Sequence, residues 1–586
     1  MRELFSLTFL RDQLAARRAL TQLSLLGFAS GVLTGLVVTL FRMTFEGPQA
    51  LFLPDGSTES YEQLPRLLHF LLPLGGAMLI GLFFFFLKKE ERRVGVAHVI
   101  ERLDNHQGEL PFKSFLVQFF AGALSIASGH SAGREGAAVH LGAAISSQLG
   151  HWLTLPNNAV RSLVGCGTAA AISASFNTPI AGVIFAMEVV LKEYTLNSVT
   201  PIILASVAGA IVTQFFYGAE PAFIIPNFTI SSLEEIPFLI VTGVIMGLLA
   251  SLLIYLSQIS AERSQSTPLL VRFILAGLLT GSAALVVPQI MGIGYDTVND
   301  AFQGNLALQT LCLIAAVKLV VTGVSVGLGL PSGFIGPSLV IGAVAGGAIG
   351  FTSDLLAPNS NINTGLYAML GMGAMMGATL QAPLAALTAL VELTANTHIT
   401  MPGMLVIIIA NLVVRERFKL LPIFRTLLSA QGIELKNHPL GRYLDSSSVS
   451  ATMDANVPHA HSKISLEQAK ALVASEHYWS LVWLERKPSV LLANSDLAVF
   501  IDKLAGNYNQ QNIDLLGIPG QRLDLAAVNL RATLRHALEV MNEKQVDALY
   551  IHPSNINDEI IVEGIITRSA IEEVYRYNKQ RVSSGS

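Results

Sequence analysis

The tetrad Gly133-Arg134-Glu135-Gly136 places an arginine and a glutamate inside one of the most apolar, glycine-rich stretches of the chain. A charge at membrane depth costs about 2.5–3.5 kcal/mol on insertion scales and therefore marks a functional position. An apolar, helix-like run follows the tetrad, so its backbone N–H groups stand at the positive end of a helix dipole, worth roughly half a charge. Such an end binds anions without needing a full positive charge. Gly333-Phe334-Ile335-Gly336-Pro337 offers a second glycine-rich helix start, with Pro337 in the first turn where its missing N–H does no harm. Two such ends meeting at one point would replace part of an anion's hydration shell. A bound cation would want carboxylates and carbonyls instead, and the few acids here do not cluster along the chain. Glu135 carries its own anion: it is expected to occupy the site when substrate leaves and to swing away on protonation, as a gate and proton carrier. Arg134 either anchors backbone carbonyls or touches the anion. A salt bridge between the two is disfavoured because adjacent residues point in different directions on a helix. His130, beside the gate, is read as packing.

The elements that must position these residues belong to a membrane protein. Of 586 residues 52% are hydrophobic and 13% charged, and the mean hydropathy is +0.54, against about 25% charged for a soluble domain. Long apolar tracts run to Val414, after which polar and charged residues mix normally. The expected fold is an all-α polytopic membrane domain with broken helices, followed by a soluble α/β domain. Its parts are a cytoplasmic amphipathic helix at 1–20, the membrane domain at 21–430, a polar linker at 431–450 containing Asn437-His438-Pro439, and the soluble domain at 451–586. The N-terminal stretch lacks the apolar core and cleavage site of a signal peptide. Arginines there and at Arg415, Arg417 and Arg425 place both ends of the membrane domain on the cytoplasmic side of an inner membrane, with an even number of crossings. A net charge of −4 with no basic stripe excludes nucleic acid. Cys166 and Cys312 offer neither a disulfide framework nor a metal-ligand spacing, and no metal site is expected.

Residues 23–41, 67–87, 236–256 and 273–287 read as ordinary spans, near the roughly 20 residues a bilayer core requires. Residues 133–150, 165–193, 323–350 and 371–392 are interrupted by glycine, proline and polar groups, which membranes tolerate only where protein or a hydrated cavity surrounds the backbone. The interruptions repeat. Gly129, Gly133, Gly136, Gly142 and Gly150 recur as Gly329, Gly333, Gly336, Gly342 and Gly350, each displaced by 200 residues. Asn177-Thr178-Pro179-Ile180-Ala181 with Glu188 is echoed by Gln381-Ala382-Pro383-Leu384-Ala385 with Glu392. Two homologous halves, about 21–215 and 235–430, follow, with paired breaks of the kind that hold a substrate near the midplane. The soluble part repeats as well: Ser465 to Ala469 with Tyr478 to Leu484, then Val490 to Leu497, parallels Thr533 to Ala537 with Ala548 to His552, then Val562 to Ile571.

On these motifs the chain resembles the CLC family of chloride channels and proton-coupled chloride exchangers, followed by a pair of CBS domains. Gly133-Arg134-Glu135-Gly136 matches the family's G-R-E-G-P with Ala137 in place of proline, Gly333 to Pro337 matches G-x-F-x-P with an exchanged bulky residue, and Asn177 to Gly182 and Gln381 to Ala385 match its proline segments. The resemblance implies a homodimer with one chloride pathway per subunit, an inverted-topology repeat, and Glu135 as the gating glutamate. Gly95, Arg134, Gly136, Phe334 and Ile335 are then the positions bordering the anion. Chloride is the implied ligand, no cofactor is required, and the protein is not an enzyme.

The departures are as informative. The family's central serine falls on Val94, or on Val96 in a shifted register, and its central tyrosine on Phe424, so two hydroxyl donors are missing. Each neutral hydrogen bond is worth about 0.5–1.5 kcal/mol net. The exchangers' inner proton-relay acid falls on Val189, which carries no proton; Glu188 beside it is a candidate substitute. These losses favour passive or loosely coupled conduction over proton-coupled exchange, with a CBS-regulated cation channel as a further alternative. In the CBS pair, Asp496 and Thr567 are the residues of each half that match adenine-nucleotide contacts, each half keeping one of two. The pair either senses a nucleotide or only dimerises.

Overall fold

The computed structural model describes residues 20–573, apart from 57, 195, 220–222, 224–232, 359–361, 434, 436–443, 445–446, 476, 486, 505–511 and 553–560. The helix expected at 1–20 lies almost wholly outside the described residues, as does most of the linker at 431–450. The chain forms two units: one of residues 20–152 with 160–436, the other containing 153–159 and 437–586.

The first unit is helical. Its first half contains α1 (Leu20–Phe52), α2 (Arg66–Phe85), α3 (Gly95–Asn105), α4 (Phe112–Ala127), α5 (Glu135–Trp152), α6 (Asn157–Phe176), α7 (Pro179–Phe185, continued as a π-helix over Ala186–Leu191) and α8 (Leu196–Tyr217). The second half contains α9 (Ile236–Arg263), α10 (Leu269–Ala284), α11 (Tyr295–Gln303), α12 (Leu308–Gly327), α13 (Ile335–Leu356), α14 (Thr364–Leu380), α15 (Pro383–Thr394), α16 (Thr400–Leu412) and α17 (Ile423–Ala430). Packing repeats with the elements: α3 lies on α5 and α11 on α13, α2 on α4 and α10 on α12, α1 on α8 and α9 on α16. Among the described residues eight helices are long and apolar enough to cross a membrane. Of the four expected ordinary spans, the last is the short helix α10, of 16 residues, which ends ahead of Pro288 because proline cannot continue it.

The breaks have local causes. Asn177 and Gln381 end α6 and α14 in the left-handed region, at φ 59° and 51°. Thr178 and Ala382 then stay out of the helical region, at φ −125° and −131°, as residues preceding proline do. Pro179 and Pro383 start the next helices. The glycine loops ahead of α5 and α13 share one backbone path, and they meet: Gly133 N–H donates to the Gly333 carbonyl and Gly333 N–H to the Gly133 carbonyl, each at 2.9 Å, as an isolated antiparallel bridge. Reciprocal bonding of equivalent residues is the relation expected of a two-fold axis between the halves.

The second unit is α/β. A six-stranded sheet has the order β1 (His459–His461), β3 (Trp479–Leu484), β4 (Lys487–Ala493), β6 (Arg522–Asn529), β7 (Ala548–His552), β8 (Gly564–Thr567), while β2 (Lys463–Ser465) pairs with β5 (Asn512–Asp514). The triplets β1-β3-β4 and β6-β7-β8 each combine a parallel with an antiparallel pairing, the internal repeat expected from the sequence. Ser465 caps α18 (Leu466–Ala474) and Thr533 caps α20 (Leu534–Lys544), with α19 (Asn494–Leu504) between them.

The bridge leaves no room for side chains: a Cβ on Gly136 would come within 2.8 Å of Gly333 Cα. Gly136→Ala must push the loops apart at a cost of about 1–3 kcal/mol, typical of overpacking. Thermal unfolding in detergent is expected to show a clearly lower midpoint, and an unchanged midpoint would mean that the loops separate freely.

Candidate anion site

Glu135 begins α5 and is fully buried. One carboxylate oxygen accepts the N–H of Gly336, in the first turn of α13, at 3.1 Å; the other accepts the Tyr295 hydroxyl. The Glu135 carboxylate of one half thus occupies the helix N-terminus of the other, where the dipole favours negative charge. The sequence points to Phe334 and Ile335 for the remaining amide ligands. Both are buried beside the site, but the amide that Glu135 holds is that of Gly336, one residue further on.

Arg134 anchors backbone. Its Nη2 donates to the Ser175 carbonyl at 2.9 Å, Nη1 lies 3.6 Å from Glu46 of α1, and the guanidinium sits 5.5 Å from the centre of the Tyr295 ring. Its Nε also comes within 3.9 Å of Glu135. The adjacency argument against this pairing fails because Glu135 starts its helix and Arg134 precedes it, so helical side-chain directions do not govern both. His130, fully buried and 3.4 Å from the Thr280 hydroxyl, is packed as expected.

Tyr295 is not among the residues singled out from sequence, although a signal exists. The 200-residue displacement carries Val94-Gly95 onto Gly294-Tyr295. In structure the match shifts by one residue: Gly95 and Gly294 both take positive φ, 83° and 86°, at the starts of the equivalent short helices α3 and α11. A tyrosine at the second of these starts is well placed to face the site from the other half.

The expectation that acids do not gather also needs correction. Glu59 accepts the Asp296 N–H at 3.0 Å, and Glu59, Glu62 and Asp296 act together on the fully buried Lys318 of α12. The Lys318 ammonium donates to the Ile290 carbonyl at 3.0 Å. This group adjoins Arg134 and Tyr295 rather than forming the anion site. In the link between α1 and α2, burial and then the Asp296 charge push the Glu59 and Glu62 carboxyls up to about 7.

Val94 caps α3 in extended conformation and packs with the cluster around Phe84, Val117 and Phe273. Phe424 is buried in α17, which lies on α3. Val189 is buried in the π-helical continuation of α7. Glu188 is engaged elsewhere. Its carboxylate accepts the N–H groups of Leu384, at 3.4 Å, and Ala385, at 2.7 Å, while Glu392 accepts those of Ile180, at 2.9 Å, and Ala181, at 2.7 Å. Each half therefore caps the other's proline helix, which removes Glu188 as a freely moving substitute for the missing relay acid. In the second unit Asp496 accepts the Gln521 N–H at 2.6 Å, and the Thr567 hydroxyl engages Ser569, at 3.0 Å, and the Ala570 N–H.

Two measurements probe this geometry. Tyr295→Phe removes a charge-assisted bond worth about 1.5–3 kcal/mol to the closed gate, so chloride efflux from liposomes at neutral pH is expected to rise by about tenfold or more; unchanged efflux would exclude Tyr295 as the latch. Glu59 and Glu62, raised to about 7, are neutral below that pH and anionic above it, and so repel an approaching anion only at higher pH. Efflux should fall as pH rises through about 7 on that face, and the double variant Glu59→Gln/Glu62→Gln should make that fall shallower than in the native protein.

Comparison with known proteins agrees with this architecture. The family model described as "Voltage gated chloride channel" matches residues 75–415. A putative chloride channel protein of the ClcB-like type from Ralstonia nicotianae is 31% identical over 357 residues, covering 60% of this chain and 83% of that protein. An H(+)/Cl(-) exchange transporter, ClcA, of Vibrio campbellii is 26% identical, covering 64% and 82%. Among solved structures, a slow cyanobacterial Cl-/H+ antiporter shares the fold with TM-score 0.61 at 21% identity over 70% of this chain and 97% of its own. A eukaryotic CLC transporter does so with TM-score 0.60 at 17% identity over 94% and 97%. With more than half of its length matched, the chain belongs to the voltage-gated chloride channel family of anion-transporting membrane proteins.

Proposed function

We propose that the protein is a proton-coupled exchanger of a small anion, chloride in the first instance, with Glu135 as the carboxylate that both gates the anion and carries the proton. The observation that carries this reading is the Glu135 carboxylate on the Gly336 amide. A carboxylate that fills an anion's helix-end position must leave before an anion can enter, and neutralisation is what weakens its hold there. This replaces the conduction expected from Val189: the relatives named as H(+)/Cl(-) exchange transporters favour exchange. Val189 remains the specific observation on the side of passive conduction.

The working unit in this reading is a homodimer in a cytoplasmic membrane. Glu188 and Glu392 cap helices beside Ile180 and Leu384, which are 59% and 51% exposed. Carboxylates at an apolar face are costly against lipid, and a second copy covers them. The α/β unit is a cytoplasmic CBS-type pair that regulates transport or assembly. Adenine-nucleotide binding there would require Asp496 and Thr567 to give up bonds within the chain.

In reconstituted liposomes under a pH gradient, the zero-current voltage is expected to move with pH for the native protein. Glu135→Gln and Glu135→Ala should lose proton coupling, so that the zero-current voltage of any remaining chloride flux no longer moves with the pH gradient. A zero-current voltage fixed at the chloride equilibrium value would instead support the passive reading, and pH-dependent coupled flux in both variants would falsify the assignment of Glu135.

A further inference from the structure

Exchange needs a proton route to Glu135, and neither Val189 nor the helix-capping Glu188 supplies one. We propose that a buried carboxylate–histidine chain, Glu101–His98–His140, is that route, leading from one membrane face to the helix that Glu135 heads; the inference rests on the exchange reading above.

The chain spans two helices. On α3, His98 and Glu101 stand three residues apart on one face, and the His106 ring follows at the helix end. His98 Nδ1 lies 3.0 Å from His140 Nε2 of α5, with the two rings stacked. Glu101 lies 3.1 Å from His106 Nε2 and 4.0 Å from His98 Nε2, with Arg93 at 3.7 Å. Exposure falls steeply along this series. His106 and Arg93 side chains are 47% exposed, while Glu101 is 3%, His98 5% and His140 0% exposed. Imidazoles accept a proton on one nitrogen and release it from the other, which suits a chain of this kind.

Both ends lie in useful places. The open end, His106 and Arg93, adjoins the basic stretch Lys88-Lys89-Glu90-Glu91-Arg92-Arg93, which the positive-inside rule puts on the cytoplasmic side. At the other end, His98 is three residues from Gly95, about 4.5 Å along α3 from the helix start. His140 stands on the helix that Glu135 heads, five residues on and about 7.5 Å along its axis, a separation that a chain of bridging waters has to cross. Two atoms of the chain lack any hydrogen bond among the described residues: Glu101 Oε2 and His140 Nδ1. Atoms left so are open to a bridging water or to a moving proton. The charged groups acting on His98 are His140, Arg102, Arg93 and His106. Helix α3 also packs on the π-helical segment that carries Val189, so the chain runs beside the position of the missing acid.

The test compares proton and chloride fluxes of the full-length protein in liposomes, using Glu101→Gln, which keeps shape and hydrogen bonding but carries no proton, and His98→Gln. The expected result is proton transport reduced about tenfold or more in both variants, with chloride flux retained and the zero-current voltage displaced toward the chloride equilibrium value. Retained chloride flux also reports that the variants fold; should His98→Gln fail to fold, the near-isosteric Glu101→Gln decides. Native protein that is coupled, with both variants equally coupled, overturns this route alone. Native protein with no proton transport overturns the exchange reading, and the route with it.

Discussion

The Gly133–Gly333 backbone bridge is the contact on which the anion site depends. It brings two helix N-termini, one from each half, to a common point, and neither end alone would do. A single terminus offers about half a positive charge; two ends brought together offer an anion donors from both halves. The bridge also explains why the glycines recur at a fixed displacement. Backbones this close admit no side chain, so Gly133, Gly136, Gly333 and Gly336 answer to geometry, and the two residues between each glycine pair are where the halves are free to differ. There the first half has Arg134-Glu135 and the second Phe334-Ile335. One carboxylate for two helix ends makes the site asymmetric in chemistry while it stays symmetric in backbone.

Charge elsewhere in the membrane unit follows the same logic. Arg134 meets the Ser175 carbonyl, Glu46 and the Tyr295 face, Lys318 meets two carbonyls and three acids, and Glu188 and Glu392 each meet amides of the opposite half. In a low-dielectric interior an ion is tolerated only with such partners. The consequence is that charged residues which look alike in sequence divide into two kinds. Glu188 and Glu392, satisfied by amides of the opposite half, hold the halves together. Glu135 is satisfied by one amide and one hydroxyl, both from the opposite half.

Much of this was legible in the sequence because repetition acts as a second copy of the same information. The displaced glycines, the proline segments and the paired caps of the α/β unit are backbone requirements, and backbone requirements leave residue-type signatures. Glu135 was legible for a different reason, as a charge with no apolar excuse. What stayed hidden were partnerships between side chains far apart in the chain. Tyr295 looks like any helix-start aromatic until α11 is placed against α13. Glu188 read as a spare acid because its partners are amides, and amides have no signature. The gathering of Glu59, Glu62 and Asp296 around Lys318 joins segments more than 230 residues apart, beyond the reach of any local pattern.

The absent hydroxyls bear on what the site recognises. Val94 and Phe424 carry no hydroxyl, and the polar groups around the Glu135 carboxylate are the Gly336 amide, the Tyr295 hydroxyl and the Arg134 guanidinium. A site that specifies a ligand through a placed hydroxyl discriminates sharply, because a wrong ligand leaves that hydroxyl buried and unpaired. Backbone amides at a helix end are less particular: they respond to charge and to how closely the anion approaches. Recognition is thereby shifted from hydrogen-bond matching toward size and dehydration cost, and competition with the anion falls to the carboxylate. On the proposed exchange reading, the Glu135 carboxylate held by Gly336 sets the threshold for other anions, because an ion enters only by displacing it or by arriving when it is neutral.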